Sequence, residues 1–119
     1  MGDFRKLTVW QKSYQLTLNV FRSTSSFPKE ELFGITSQMR RAAASIPANI
    51  AEGSGRGSDT ELRRFCQIAL GSTNELEFFA TLSHDLTYLE PQQYGTLHDD
   101  ILEVERMLAS LIQKLTTND

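Results

Sequence analysis

The 119-residue chain holds a single cysteine, Cys66, so no intramolecular disulfide can form and no cysteine-rich zinc module can be built. That usage points to an intracellular, cytoplasmic protein. No stretch approaches the ~20 apolar residues of a membrane span. The opening Met1-Gly2-Asp3-Phe4-Arg5-Lys6 leads into no apolar leader segment, so a soluble chain is expected. Only three prolines and seven glycines interrupt the sequence, and no window sustains the apolar–polar alternation of strands. Apolar residues at 39% and charged residues at 23% exclude disordered, collagen-like and low-complexity chains. What remains is one domain, residues 1–119, large enough to bury roughly two-thirds of its unfolded surface in a single core.

The period that is present is helical. Leu62, Phe65, Ala69, Ser72, Leu76, Phe79, Ser83 and Leu86 alternate steps of three and four, as do Tyr94, Leu97, Ile101, Val104, Leu108, Leu111 and Leu115. Such seams belong to long helices packing at about 20°. Ser58-Asp59-Thr60-Glu61 is a capping box for the first of them, and Pro91 suits the first turn of the second. In the first half, Thr8-Val9-Trp10-Gln11 is another capping-box candidate. Trp10, Tyr14, Leu18 and Phe21, with Val9, Leu16 and Val20 beside them, make a wide apolar face. Ile35, Met39, Ala42, Ile46 and Ile50 line a further helix that Glu30 and Glu31 open and Gly53 stops. Pro47 predicts a kink near Ala43 in one bent helix; two short helices meeting at Pro47 are the alternative. The expectation is an all-α, up-down antiparallel four-helix bundle with helices over 8–23, 30–52, 58–87 and 91–116.

Charge is uneven along the chain. Residues 1–29 hold five Lys/Arg against one acidic residue, residues 30–64 five against five, and residues 65–119 two against nine. A local basic patch from the first half is therefore compatible with the net charge of −3. Arg5, Lys6, Lys12, Arg40 and Arg56 are the nucleic-acid candidates.

Catalytic and metal-binding arrangements fail on spacing or setting. A di-iron bundle needs Glu-x-x-His pairs, but Thr81 precedes His84 by three residues and Gly95 precedes His98. Cys66 sits mid-helix beside the apolar seam, the setting of an inert thiol with a raised pKa. No catalytic residues, metal ligands or cofactor are assigned. The run Gly53-Ser54-Gly55-Arg56-Gly57-Ser58 is read as a helix-to-helix turn, or as amides cradling an anion under Arg56. It lacks the Lys-Ser/Thr end of a phosphate loop and follows a helix, not a strand.

Gln38, Arg41, Ser45, Asn49 and Glu52 form a polar row on the second helix. At about 100° per residue this row lies on the flank of the apolar face, where it meets a neighbouring helix or subunit or forms a solvated stripe. Glu75 is the partner proposed for Arg41. Gly71, mid-helix, suggests a close approach by another backbone.

Several runs carry a resemblance: Trp10-Gln11-Lys12, Phe27-Pro28, Glu31-Leu32-Phe33-Gly34-Ile35, Gln38-Met39-Arg40-Arg41-Ala42, Ser45-Ile46-Pro47-Ala48-Asn49-Ile50-Ala51-Glu52-Gly53, and Ala69-Leu70-Gly71-Ser72 with Glu75-Leu76. Over nearly the whole chain the sequence resembles the four helix bundle family of proteins encoded in 23S rRNA intervening sequences. It is more remotely similar to the accessory variability protein of diversity-generating retroelements, a basic pentamer that works with a reverse transcriptase and nucleic acid. The resemblance implies a homopentameric ring with a central pore and no enzyme activity. It also implies that Arg41, Asn49, Glu52 and Glu75 are structural or interface groups.

Two function classes follow: a ring-forming scaffold that binds RNA or a nucleoprotein, or a protein-interaction or purely structural bundle without nucleic acid. An enzyme ranks below both. Trp10, Tyr14, Phe21, Phe33, Phe65, Phe78, Phe79 and Tyr94 exceed what one narrow seam takes, and one of Phe78 and Phe79 should face outward. That surplus predicts a homo-oligomer; only the resemblance gives its number as five.

Overall fold

The apolar periods appear as four helices in a computed structural model that describes residues 2–117: α1 (Thr8–Thr24), α2 (Ser37–Ser54), α3 (Asp59–Asp85) and α4 (Pro91–Thr117). The described residues contain no strand. Each helix packs on its neighbours in sequence, and α1 also packs on α4. Cross-helix pairs run in opposite order along each junction. Thr24 and Thr17 of α1 meet Arg40 and Ala43 of α2, and Arg41 and Met39 of α2 meet Glu75 and Ser83 of α3. Glu77 and His84 of α3 meet His98 and Tyr94 of α4. The core fills the axis with Leu16 and Val20, Met39, Ile46 and Ile50, Leu76, and Ile101, Val104 and Leu108.

The ends of the elements carry the corrections. Thr8 does not cap α1: Leu7 occupies the N-cap without a side-chain bond, and the Gln11 amide donates to the Arg5 carbonyl at 2.8 Å. A 3-10 turn over Phe4–Lys6, capped by Asp3, places that carbonyl within reach. The second helix does not begin at 30. Lys29–Glu31 is a 3-10 turn, Leu32–Thr36 is a wide turn broken at Gly34 (φ −109°, ψ −118°), and α2 starts only at Ser37. Glu31 does not serve the α2 dipole, because its carboxylate accepts from the Tyr88 hydroxyl at 2.9 Å and lies 2.8 Å from where a Cβ on Gly34 would stand.

Gly53 is not the stop of α2. It is buried inside the helix, where a Cβ would come within 2.7 Å of Phe65 Cβ and 3.2 Å of Leu62 Cα. The close approach expected at Gly71 occurs here; Gly71 itself faces open space. The glycine with positive φ is Gly57, at +84° in the turn to α3.

α2 is continuous through Pro47. Proline leaves the carbonyl four residues back without its helical donor, and that carbonyl belongs to Ala43. The Thr17 hydroxyl of α1 lies 3.1 Å from it and 2.8 Å from the Ser13 carbonyl, so a neighbouring helix reaches the acceptor that Pro47 leaves open.

Ser58 caps α3 by accepting from the Glu61 amide at 3.2 Å. The Glu61 carboxylate takes the Arg64 guanidinium at 2.8 Å instead of reaching back, and its pKa is lowered by that bond. The innermost α3 row is Leu62, Cys66, Ala69, Thr73, Leu76, Ala80 and Ser83. Ser72 and Phe79 move to its flank, and Leu86 is exposed. α2 lies close enough along this face that small side chains fit where Phe79 would not.

Candidate functional site

The polar row of α2 sits at the half-exposed rim. Arg41 donates to Glu75 at 2.6 Å and to Gln38 at 3.0 Å, with the two charged side chains 53% and 39% exposed. The Asn49 amide bonds back to the Ser45 carbonyl at 2.7 Å, and Glu52 pairs with Arg56 at 3.0 Å. Arg41 thus ties α2 to α3 and Glu52 ties α2 to the following turn, Asn49 bonds within its own helix, and each charge has a local partner.

The five basic candidates do not form one surface. Arg5, Lys6 and Arg56 share one end of the bundle, where the Ser54 hydroxyl donates to the Gly2 carbonyl at 3.2 Å and holds the N-terminal segment against the α2–α3 turn. Arg5 pairs with Asp3 at 3.1 Å and lies over Phe4, and the Arg5 backbone amide is the main cause of the lowered Asp3 pKa. Lys12 turns to α4, where the Glu103 carboxylate at 3.0 Å raises its pKa. Nearby, burial raises the pKa of Asp100 despite Lys12. Arg40 lies toward the other end, donating to the Thr24 hydroxyl at 2.8 Å above the Phe21 ring.

The segment tally did not reveal the polarity of charge along the 46 Å long axis. Antiparallel packing brings Arg106 and Lys114 of α4 beside Leu7 and Thr8, and so to the end that holds Arg5, Lys6, Arg56, Arg63 and Arg64. The half of the bundle made of residues 2–14, 47–70 and 105–117 carries eight Lys/Arg against five carboxylates. The other half, residues 15–46 and 71–104, carries four against nine.

The glycine-rich run behaves as a turn. The Gly55 amide bonds to the Ala51 and Glu52 carbonyls and the Arg56 amide to Gly53, while the Arg56 guanidinium is drawn to Glu52 and over the Phe65 ring. Cys66 is buried, and burial pushes its thiol up to about 11. His84 stands about 27 Å further along α3, out of reach of that sulfur, and meets the Tyr94 ring at a tilt, while Tyr94 stacks with His98. Among the described residues no three His, Cys, Asp or Glu side chains gather to hold a metal ion, and no helix is long and apolar enough to cross a membrane.

Aromatic exposure is concentrated on a few groups. Phe78 faces outward at 59% exposure while Phe79 packs against the core. Tyr14 and Phe21 are 42% and 43% exposed, and Phe33 reaches 90%. Trp10 and Tyr14 stack along α1 with ring centres 5.1 Å apart, and Phe4 of the preceding turn meets Trp10 edge-on at 5.0 Å.

The family model of the 23S rRNA-intervening sequence proteins matches residues 5–110. The chain belongs to the 23S rRNA-intervening sequence protein family. The match takes in all of α1, α2 and α3 and most of α4. It includes every residue of the polar row and all five basic candidates of this 23S rRNA-intervening sequence protein. A crystal structure of a protein of unknown function from the S23 ribosomal protein family of Bacteroides thetaiotaomicron is similar at a TM-score of 0.79 and 26% identity. The alignment covers 88% of this chain and 98% of that one. Comparison with curated proteins gave no significant match.

Proposed function

We propose that this member of the 23S rRNA-intervening sequence family is a non-catalytic cytoplasmic scaffold. It self-associates into a ring and offers its basic end to RNA or a ribonucleoprotein. The observation that carries the reading is the segregation of charge along the bundle, which leaves one end with an excess of Lys/Arg although the chain is net acidic. Exposed aromatic groups on α1, on α3 and before α2 support self-association, because exposed apolar surface on a water-soluble bundle marks interfaces. The five-fold number comes from the family resemblance alone.

Phosphate contacts release counterions, so binding of a structured RNA must weaken steeply as salt rises. Fluorescence anisotropy should show binding at low salt, and replacing Arg5, Lys6 and Arg56 together by Ala should flatten the dependence on log salt by roughly two to three units. No binding at low salt would remove the RNA part of the reading. The second reading, a protein-only scaffold, is favoured by one observation: Arg5, Lys12 and Arg56 already face Asp3, Glu103 and Glu52.

A further inference from the structure

The break at Gly34 has a visible result on the surface. It lifts Phe33 out of the helical path and leaves its ring 90% exposed, beside Leu32 at 49% and next to Glu30 and Glu31. Elsewhere on the same chain lies an open groove of about 320 Å³ between α1 and α2, walled by Phe4, Trp10 and Tyr14 on one side and by Pro47, Ala48 and Ala51 on the other. The α2 wall is made of short side chains, so a ring can lie flat on its backbone; the α1 wall offers aromatic faces for stacking. Phe33 lies before α2 begins at Ser37, and Pro47 stands about 15 Å further along that helix, so Phe33 does not fill the groove of its own chain.

We propose that Phe33 of one copy of this chain enters the α1–α2 groove of a second copy. Charge complementarity selects this occupant. Phe33 stands in the half of the bundle with four Lys/Arg against nine carboxylates, and six of the eight residues lining the groove stand in the half with eight against five, where Arg5 lies over the Phe4 ring. Knob and groove are different surfaces, so the contact is head-to-tail, and repetition closes a ring or continues as a filament according to the rotation per copy. The inference rests on the self-association proposed above and names the surfaces that make it.

Light scattering on the full chain at micromolar concentration tests it with two variants, Phe33→Ser and Ala48→Trp. Both positions are exposed, so far-UV circular dichroism should match the parent. The parent should show the mass of several chains and each variant the mass of one. A concentrated equimolar mixture of the two variants should give twice the chain mass, because Phe33→Ser keeps a groove and Ala48→Trp keeps a knob. Variants that both keep the parent's mass, or Ala48→Trp keeping it alone, would overturn this contact and leave the scaffold reading standing. A mixture that stays at the mass of one chain overturns the head-to-tail geometry. A parent at the mass of one chain overturns both the contact and the scaffold.

Discussion

Replacing Gly53 by Ala isolates a close approach between α2 and α3. The added methyl carbon would stand 2.7 Å from Phe65 Cβ and 3.2 Å from Leu62 Cα. Neither atom is the free end of a flexible chain, so α2 and α3 must separate. Overpacking of this kind costs about 1–3 kcal/mol, and the nature of the two atoms places Gly53 in the upper part of that range. The same substitution returns about 1 kcal/mol, because alanine favours the helix more than glycine does. The net expectation is a loss of roughly 2 kcal/mol, or on the order of 8 °C in Tm. Gly71→Ala makes the matching control: the chemistry is identical, but its methyl would meet open space, so that variant should gain up to ~1 kcal/mol. Urea unfolding followed by circular dichroism, repeated at several protein concentrations to separate assembly from folding, should move the two midpoints in opposite directions. Gly53→Ala gaining stability as Gly71→Ala does would refute the packing argument, because the helix term would then be acting alone.

Thr17→Val should cost about 1–2 kcal/mol, because the Ala43 carbonyl, already without its helical donor at Pro47, would be left buried and unpaired; equilibrium unfolding measures this, and an unchanged midpoint would mean that Pro47 needs no help from α1. A double-mutant cycle on Arg41 and Glu75 should return less than ~1 kcal/mol despite the 2.6 Å contact, since both side chains are well exposed; a larger coupling in the assembled protein but not in dilute chains would place the pair in an interface. Cys66 should resist thiol reagents until the chain unfolds. Its thiol stays protonated to about pH 11 when folded, against an ordinary 9.0. The contribution of this thiol to stability should therefore be flat below pH 9 and fall by up to ~2–3 kcal/mol toward pH 11, as the unfolded thiol ionises and the folded one does not. Cys66→Ala should lose less stability over that interval, and equal losses would show that the thiol plays no part.

Helix existence was legible where a repeat is long and large apolar residues leave one phase available, as in the α4 run from Leu97 to Leu115. It was less legible in α3, where two rows a residue apart are both apolar: size favours Phe79, whereas closeness to α2 favours Ala80, and closeness is a property of the pair of helices. The same reason hid the role of Gly53 and credited Gly71 with it. The Arg41–Glu75 pair could be anticipated because it needs only two neighbouring helices in antiparallel register. Thr17 meeting Ala43 could not, since nothing local to either residue marks a carbonyl left open by a proline four residues on as the target of a hydroxyl 26 residues before it. The basic end falls in this class as well. Arg5, Arg64 and Arg106 lie far apart in sequence, and only the direction of each helix decides that they share an end while Asp99, Asp100 and Glu103 of the same α4 lie in the other half. A charge tally by segment thus answers a different question from a tally by position along the bundle axis, and it is the second that an approaching polyanion or a second copy of the chain would meet.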